Sequence, residues 1–265
     1  VAWYEITIKN FQEYIQLVND LGINVGSMYN WNFRGQADSS WKLEHSLLRI
    51  LQGINDRAWA GNLEGEILTE FYIKKDLYLP GHQPHQDADR ASWWAIMQHY
   101  SCPTRLLDWS ASPYVAAYFA VNNLSEQDGA IWIFNANELN RIMMEKYRDL
   151  SVIPDNEQYY DLDGPDIIRT IRTLDNPRIA AQQGVFTVCT NILEDHSNMI
   201  EAGFGKDSYQ HLIKIIIPSE MKKNILSQLH TMNITAASLF PGIDGLGLKV
   251  SEVIKLKVYH REFPI

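Results

Sequence analysis

The run Thr104-Arg-Leu-Leu-Asp-Trp-Ser-Ala-Ser-Pro-Tyr-Val-Ala-Ala-Tyr-Phe-Ala120 admits few folds. Leu106, Leu107 and Trp109 require a core, yet Thr104, Arg105, Asp108, Ser110 and Ser112 are set among them. Pro113 suits the first position of a helix. Val115, Ala116, Tyr118, Phe119 and Ala120 then describe a mostly buried one. The pattern predicts strand, polar turn and buried helix, with Ser112 as N-cap. A strand that brings Asp108, Ser110 and Ser112 to a helix N-terminus predicts an anion-binding corner. A plain cap at Ser112 and an Asp108–Arg105 ion pair are the structural alternative.

The chain has 265 residues, 46% hydrophobic and 21% charged, which predicts a soluble globular protein with a sizeable core. No apolar run is long enough to span a bilayer, and the start Val-Ala-Trp-Tyr-Glu does not resemble a signal peptide. Cys102 and Cys189, the only cysteines, make neither a disulfide framework nor a metal knuckle, so a cytoplasmic location is expected. A net charge of −9 argues against indiscriminate nucleic-acid binding but leaves a local basic groove open. Trp31, Trp41, Trp94 and Trp109 stand beside polar residues, where they suit a planar ligand or a core.

Helical spacing is expected over 9–21, 57–78 (with Leu63, Ile67, Phe71 and Leu77 as core stripe), 91–101 and 136–148. A further helix, 219–228, is expected to be capped at Ser219 or its neighbour. Strands are expected over 28–35, 130–134, the second half of 178–189, and 212–217. Residues 149–176 read as an insertion or loop, and 238–245 as a turn with Asp244 at its tip. The tail beyond it, with Lys249, Lys255, Lys257, His260 and Arg261, is mildly basic. The loop 79–90 holds His82 and His85, but Pro84 separates them and no third ligand stands nearby, so no metal is expected and a flap is preferred. Arg34, followed by Gly35 at a strand end, can project into a cleft where backbone approaches a ligand. His99 ends a helix five residues before the polar strand, a position for a structural or a functional histidine. Without repeats, linkers or a βαβ rhythm, one α+β domain spanning 1–265 is predicted. Phosphate-loop, Rossmann, zinc-peptidase and α/β-hydrolase motifs are absent.

Phe33-Arg-Gly-Gln36, Gln98-His-Tyr-x-x-Pro-Thr-Arg-Leu-Leu-Asp-Trp109, Ala181-Gln-Gln-Gly-Val-Phe186 and Leu239-Phe-Pro-Gly-Ile-Asp-Gly245 together resemble the FRG domain family. A more distant resemblance is to ADP-ribosyltransferases of the Arg–Ser–Glu kind. Arg34 stands in their first setting, Ser110-Ala-Ser112 before Ala116-Ala-Tyr-Phe119 in the second, and Gln182-Gln183-Gly in the third, where Gln replaces the expected Glu.

That likeness implies a split sheet with flanking helices and NAD as co-substrate. It also implies an acceptor that is protein or nucleic acid, and a toxin or anti-phage effector with a neutralising partner. Arg34 would bind the pyrophosphate, Ser110 the ribose, and Gln183 would orient it. Asp108 or Asp244 would supply the negative charge that the Gln cannot. Tyr100, Trp109 or Tyr118 would wall the nicotinamide, with Gln36, His99, Thr104 and Arg105 completing the NAD-binding set. Two other readings follow from the residues: a nucleotide- or nucleic-acid-binding module without catalysis, and a metal nuclease using His99, Arg105 and Asp108.

Overall fold

A computed structural model describes residues 3–23, 30–78, 90–147, 168–171, 176–205 and 210–262. Among these residues seven strands form one mixed sheet: β1 Tyr4–Thr7, β2 Trp31–Gln36, β3 Leu107–Ser110, β4 Gly129–Asn135, β5 Ile168–Ile171, β6 Gly184–Cys189 and β7 Leu212–Ile217. Their order is β1-β7-β4-β2-β3-β6-β5; β1 runs parallel to β7 and all other neighbours are antiparallel. The α+β expectation therefore holds, and β1, which carried no clear signal, is added to it.

The period of two in the strands divides the apolar residues between two cores. Ile131 and Ile133 of β4, with Ile215 and Ile217 of β7, face α1 Phe11–Asp20, α5 Pro113–Val121, α9 Lys222–Thr231 and α10 Ala236–Leu239. Trp132 and Phe134, with Leu107 and Trp109 of β3, face α4 Arg90–His99, α6 Ala136–Lys146 and α8 His196–Phe204. The helices α2 Ser46–Ile50 and α3 Arg57–Tyr78 lie beyond this second layer, and α11 Ile243–Glu262 closes the first. Glu252 of α11 fastens that closure: it accepts from Tyr118 Oη of α5, His230 Nε2 of α9 and the Ala236 N–H of α10. Among the described residues no helix is long and apolar enough to cross a membrane.

Several expectations are corrected. Residues 149–176, read as loop, contain β5; four residues at a sheet edge give too short a run to show a period. Arg178 sits in a short helix, α7 Pro177–Ala181, capped by Asn176, for which no element was expected. Ser219 does not cap α9, because a 3-10 turn, Ser219–Met221, comes first and makes no side-chain cap. Asp244 lies in the first turn of α11, and the basic tail is that 20-residue helix. On α3, Ala60 and Glu64 are the buried residues while Leu77 is 78% exposed. His82 and His85 lie outside the described residues, as does most of 149–176.

β2 and β4 hold register over the whole of Trp31–Gln36, whereas β2 and β3 meet at one pair, Phe33 with Ser110. Above that narrow junction α5 lies on β2 with backbone against backbone. A Cβ at Gly35 would stand 1.9 Å from Ala116 O and 2.6 Å from Ala120 N. The glycine of the Phe-Arg-Gly triplet thus admits a helix, not a ligand. Replacing Gly35 by Ala must push α5 off the sheet, and is expected to cost about 3 kcal/mol in urea unfolding. An unchanged midpoint would show that α5 yields freely.

Candidate functional site

The narrow β2–β3 junction opens into a cavity of about 310 Å³. Its walls come from six elements. β2 contributes Phe33, Arg34 and Gly35; β3 contributes Asp108, Trp109 and Ser110. α4 supplies Gln98 and His99, α5 supplies Phe119, α7 and its cap supply Arg178 and Gln182, and β6 supplies Phe186. Aromatic rings and cationic or amide groups therefore share one lining.

Arg34 is held at the mouth of the junction. Its Nη1 donates to the backbone carbonyl of Asp108 at 2.6 Å, across the line where ladder bonds stop. Its Nε is buried and has no hydrogen-bond partner among the described residues. Burial lowers the guanidinium from its ordinary value and Asp108 pulls it back up, so it remains a cation. The Asp108 carboxylate stands 4.0 Å from Nη1 and is 62% exposed. Among the described lining residues it is the sole carboxylate.

Arg178 brings a second guanidinium, 4.6 Å from the Phe240 ring centre, and that ring packs on Phe119. His99 is pushed down from its ordinary value by burial and then by Arg178, so near neutral pH its imidazole is uncharged.

The corner at the start of α5 is largely self-satisfied. Ser112 caps the helix as expected, its Oγ accepting from the Val115 N–H. Ser110 Oγ accepts from the Ser112 N–H and donates to Gln182 O at 2.7 Å, tying β3 to the α7–β6 turn. One lone pair of Ser110 Oγ is left to receive a ligand hydroxyl.

Of the residues singled out in the sequence, Arg34, His99, Asp108, Trp109 and Ser110 meet in this cavity. The others do not line it. Gln183 is exposed, in a turn with φ +48°, its carbonyl accepting from the Ala111 N–H. Its neighbour Gln182 does line the cavity, but donates its amide to Leu239 O. Asp244 and Tyr100 are exposed elsewhere. Gln36 is buried between Trp132 Nε1 and Lys42 O. Thr104 donates to Gln98 Oε1, and Tyr118 Oη to Glu252.

Arg105 does not pair with Asp108. It makes a two-pronged ion pair with buried Glu64 of α3, donates to Cys189 O and Thr190 O, and lies over Trp94. A nuclease using Arg105 beside Asp108 and His99 is thereby removed, and no group of three or more metal-ligating side chains occurs among the described residues. Phe33, Gln98, Phe119, Arg178 and Phe186 were not expected as site residues. Gln98 and Phe33 belong to the motif blocks, whereas Arg178 carries no local signal and is found only by packing.

Behind the cavity a polar chain fixes its Trp109 wall. Trp109 Nε1 donates to Thr187 Oγ1, whose hydroxyl pairs with His196 Nδ1 at 2.7 Å. His196 stacks edge-on to His45, 5.4 Å between ring centres, and His45 Nδ1 caps α2 by accepting from the Leu48 N–H. Burial, then neighbouring charge, lowers both; His45 falls from 6.5 to about 3.

Residues 29–129 match the family model described as FRG domain. No curated protein and no solved structure matches the chain. The sheet that holds the cavity also takes β5, β6 and β7 from beyond that segment.

Two outcomes are expected from these buried groups. Arg105→Met leaves the Glu64 carboxylate buried and unpaired and should cost about 3–5 kcal/mol in denaturant unfolding, with much of the loss recovered by Glu64→Leu in the same chain. Full stability of the single variant would remove the pair from the core. Below pH 6.5 the unfolded chain takes up protons that the folded His45 and His196 refuse, so the stability present above 6.5 is lost as pH falls toward about 3. Urea unfolding from about pH 6 to about pH 5 should fall by about 1.4 kcal/mol per pH unit for each histidine, and His45→Asn, which keeps a cap, should remove one such slope.

Proposed function

We propose, from the FRG domain that the chain carries and the cavity at its β2–β3 junction, that the protein cleaves NAD and transfers ADP-ribose. The observation that carries this reading is the convergence of Arg34, Asp108 and Ser110 on one cavity, with a donor of Arg34 unpartnered among the described residues. A pyrophosphate asks for guanidinium groups, and Arg34 and Arg178 offer them. The apolar wall of Phe33, Trp109, Phe119 and Phe186 suits a flat ring, and about 310 Å³ suits one half of a dinucleotide better than the whole. Ser110 Oγ would accept from a ribose hydroxyl.

The bond that breaks joins the ribose carbon to the nicotinamide nitrogen, which keeps the electron pair. The acceptor's nucleophile then bonds to that carbon and loses its proton. Positive charge grows on the ribose in the transition state, and the exposed Asp108 carboxylate would meet it. The acceptor would be a protein or nucleic acid. Such consumption of NAD suits a toxin or anti-phage effector held by a neutralising partner.

One observation favours a second reading, a nucleotide-binding module without turnover. Among the described residues no carboxylate enters from the β6 side: Gln182 is bound to Leu239 O, and Gln183 does not line the cavity. Nicotinamide release from NAD, with and without cell extract, separates the two. Release that falls about 100-fold in Arg34→Ala and in Asp108→Asn supports cleavage. NAD binding without release, in a folded protein, selects the binding module, and absence of both rejects the two readings together.

A further inference from the structure

We infer that α11 is a self-association surface, and that a second copy of this chain packs its own α11 antiparallel against it. The inference is independent of the cavity's chemistry. The helix turns one face inward: Gly245, Glu252 and Leu256 are buried, and a Cβ at Gly245 would stand 1.9 Å from Phe240 O. The opposite face is apolar too. Ile243, Leu246, Val250, Ile254 and Val258 recur three or four residues apart, so they share one stripe. Each is 49–78% exposed.

At 1.5 Å per residue the stripe runs about 22 Å, the length of a two-helix contact. A soluble surface rarely carries so long an apolar row without a partner.

Charge selects the partner. Exposed Asp244 and exposed Lys255 lie on the same flank of the stripe, toward opposite ends. Two copies laid antiparallel about a two-fold axis near Val250 set Ile243 against Val258, and Asp244 of each near Lys255 of the other. A parallel pair would oppose like charges instead. The surface is thus complementary to itself in one orientation.

The test is sedimentation velocity over a concentration series on the whole chain, with circular dichroism to confirm folding of each exposed-site variant. The wild type should dimerise reversibly. Ile254→Glu should weaken the dimer about 30-fold or more. Asp244→Lys and Lys255→Asp should each weaken it about fivefold, and the two together should restore wild-type affinity. A wild type that stays monomeric at every concentration overturns the inference, as does failure of the paired charge swap to restore. A monomer that instead floats with anionic phospholipid vesicles, and loses this with Ile254→Glu, assigns the stripe to a membrane surface and also overturns it.

Discussion

The contact of α5 with β2, backbone on backbone with Gly35 between, sets the position of everything around the cavity. The helix can approach so closely only because no side chain intervenes, and its approach brings Phe119 over the β2–β3 junction. The same strand carries Phe33 on the α5 side and Arg34 on the other. Phe33 makes the single registered pair with Ser110, and Arg34 bridges to Asp108 O where register is lost. Three adjacent residues thus seat a helix, join two halves of a sheet and place a cation in the gap.

Much of the polar character of the chain serves the interior. Arg105 with Glu64 ties α3 to the ends of β3 and β6. His45 caps one helix while it packs on His196, and Glu252 gathers three helices onto a fourth. Buried ionic and imidazole groups of this kind hold geometry by being costly to strip of their partners rather than by adding much net stability. Ser110 combines both uses: it laces β3 to Gln182 and still borders the cavity.

Where one face of an element is buried, the sequence was readable. The amphipathic α1, the strand–cap–helix unit from Leu107 to Val121, and the apolar β4 and β7 follow from period and capping alone. Elements with weak or double signals were not. β1 and β5 are four-residue edges. α11 has glycines in its first two turns and apolar residues on both faces, so no single stripe emerges. In the site, Asp108 and Ser110 were legible because polar residues stood where a core was required, and Arg34 because a glycine follows it at a strand end. Thr104 and Arg105 carried the same signal and proved to be core, since sequence shows that a buried polar group needs a partner but not whether that partner is protein or ligand. Gln182 and Gln183 exchanged roles because a positive φ turned the chain between them.

The sheet's outermost parallel pair joins residues far apart in the chain: Tyr4–Thr7 pairs with Leu212–Ile217. During synthesis, β1 must remain unpaired until β7, the last of the described strands, has been made. Once made, β7 can dock on β4, giving a sheet that is ordered from its middle outward. The β1 edge therefore cannot be sealed before the last described strand is in place.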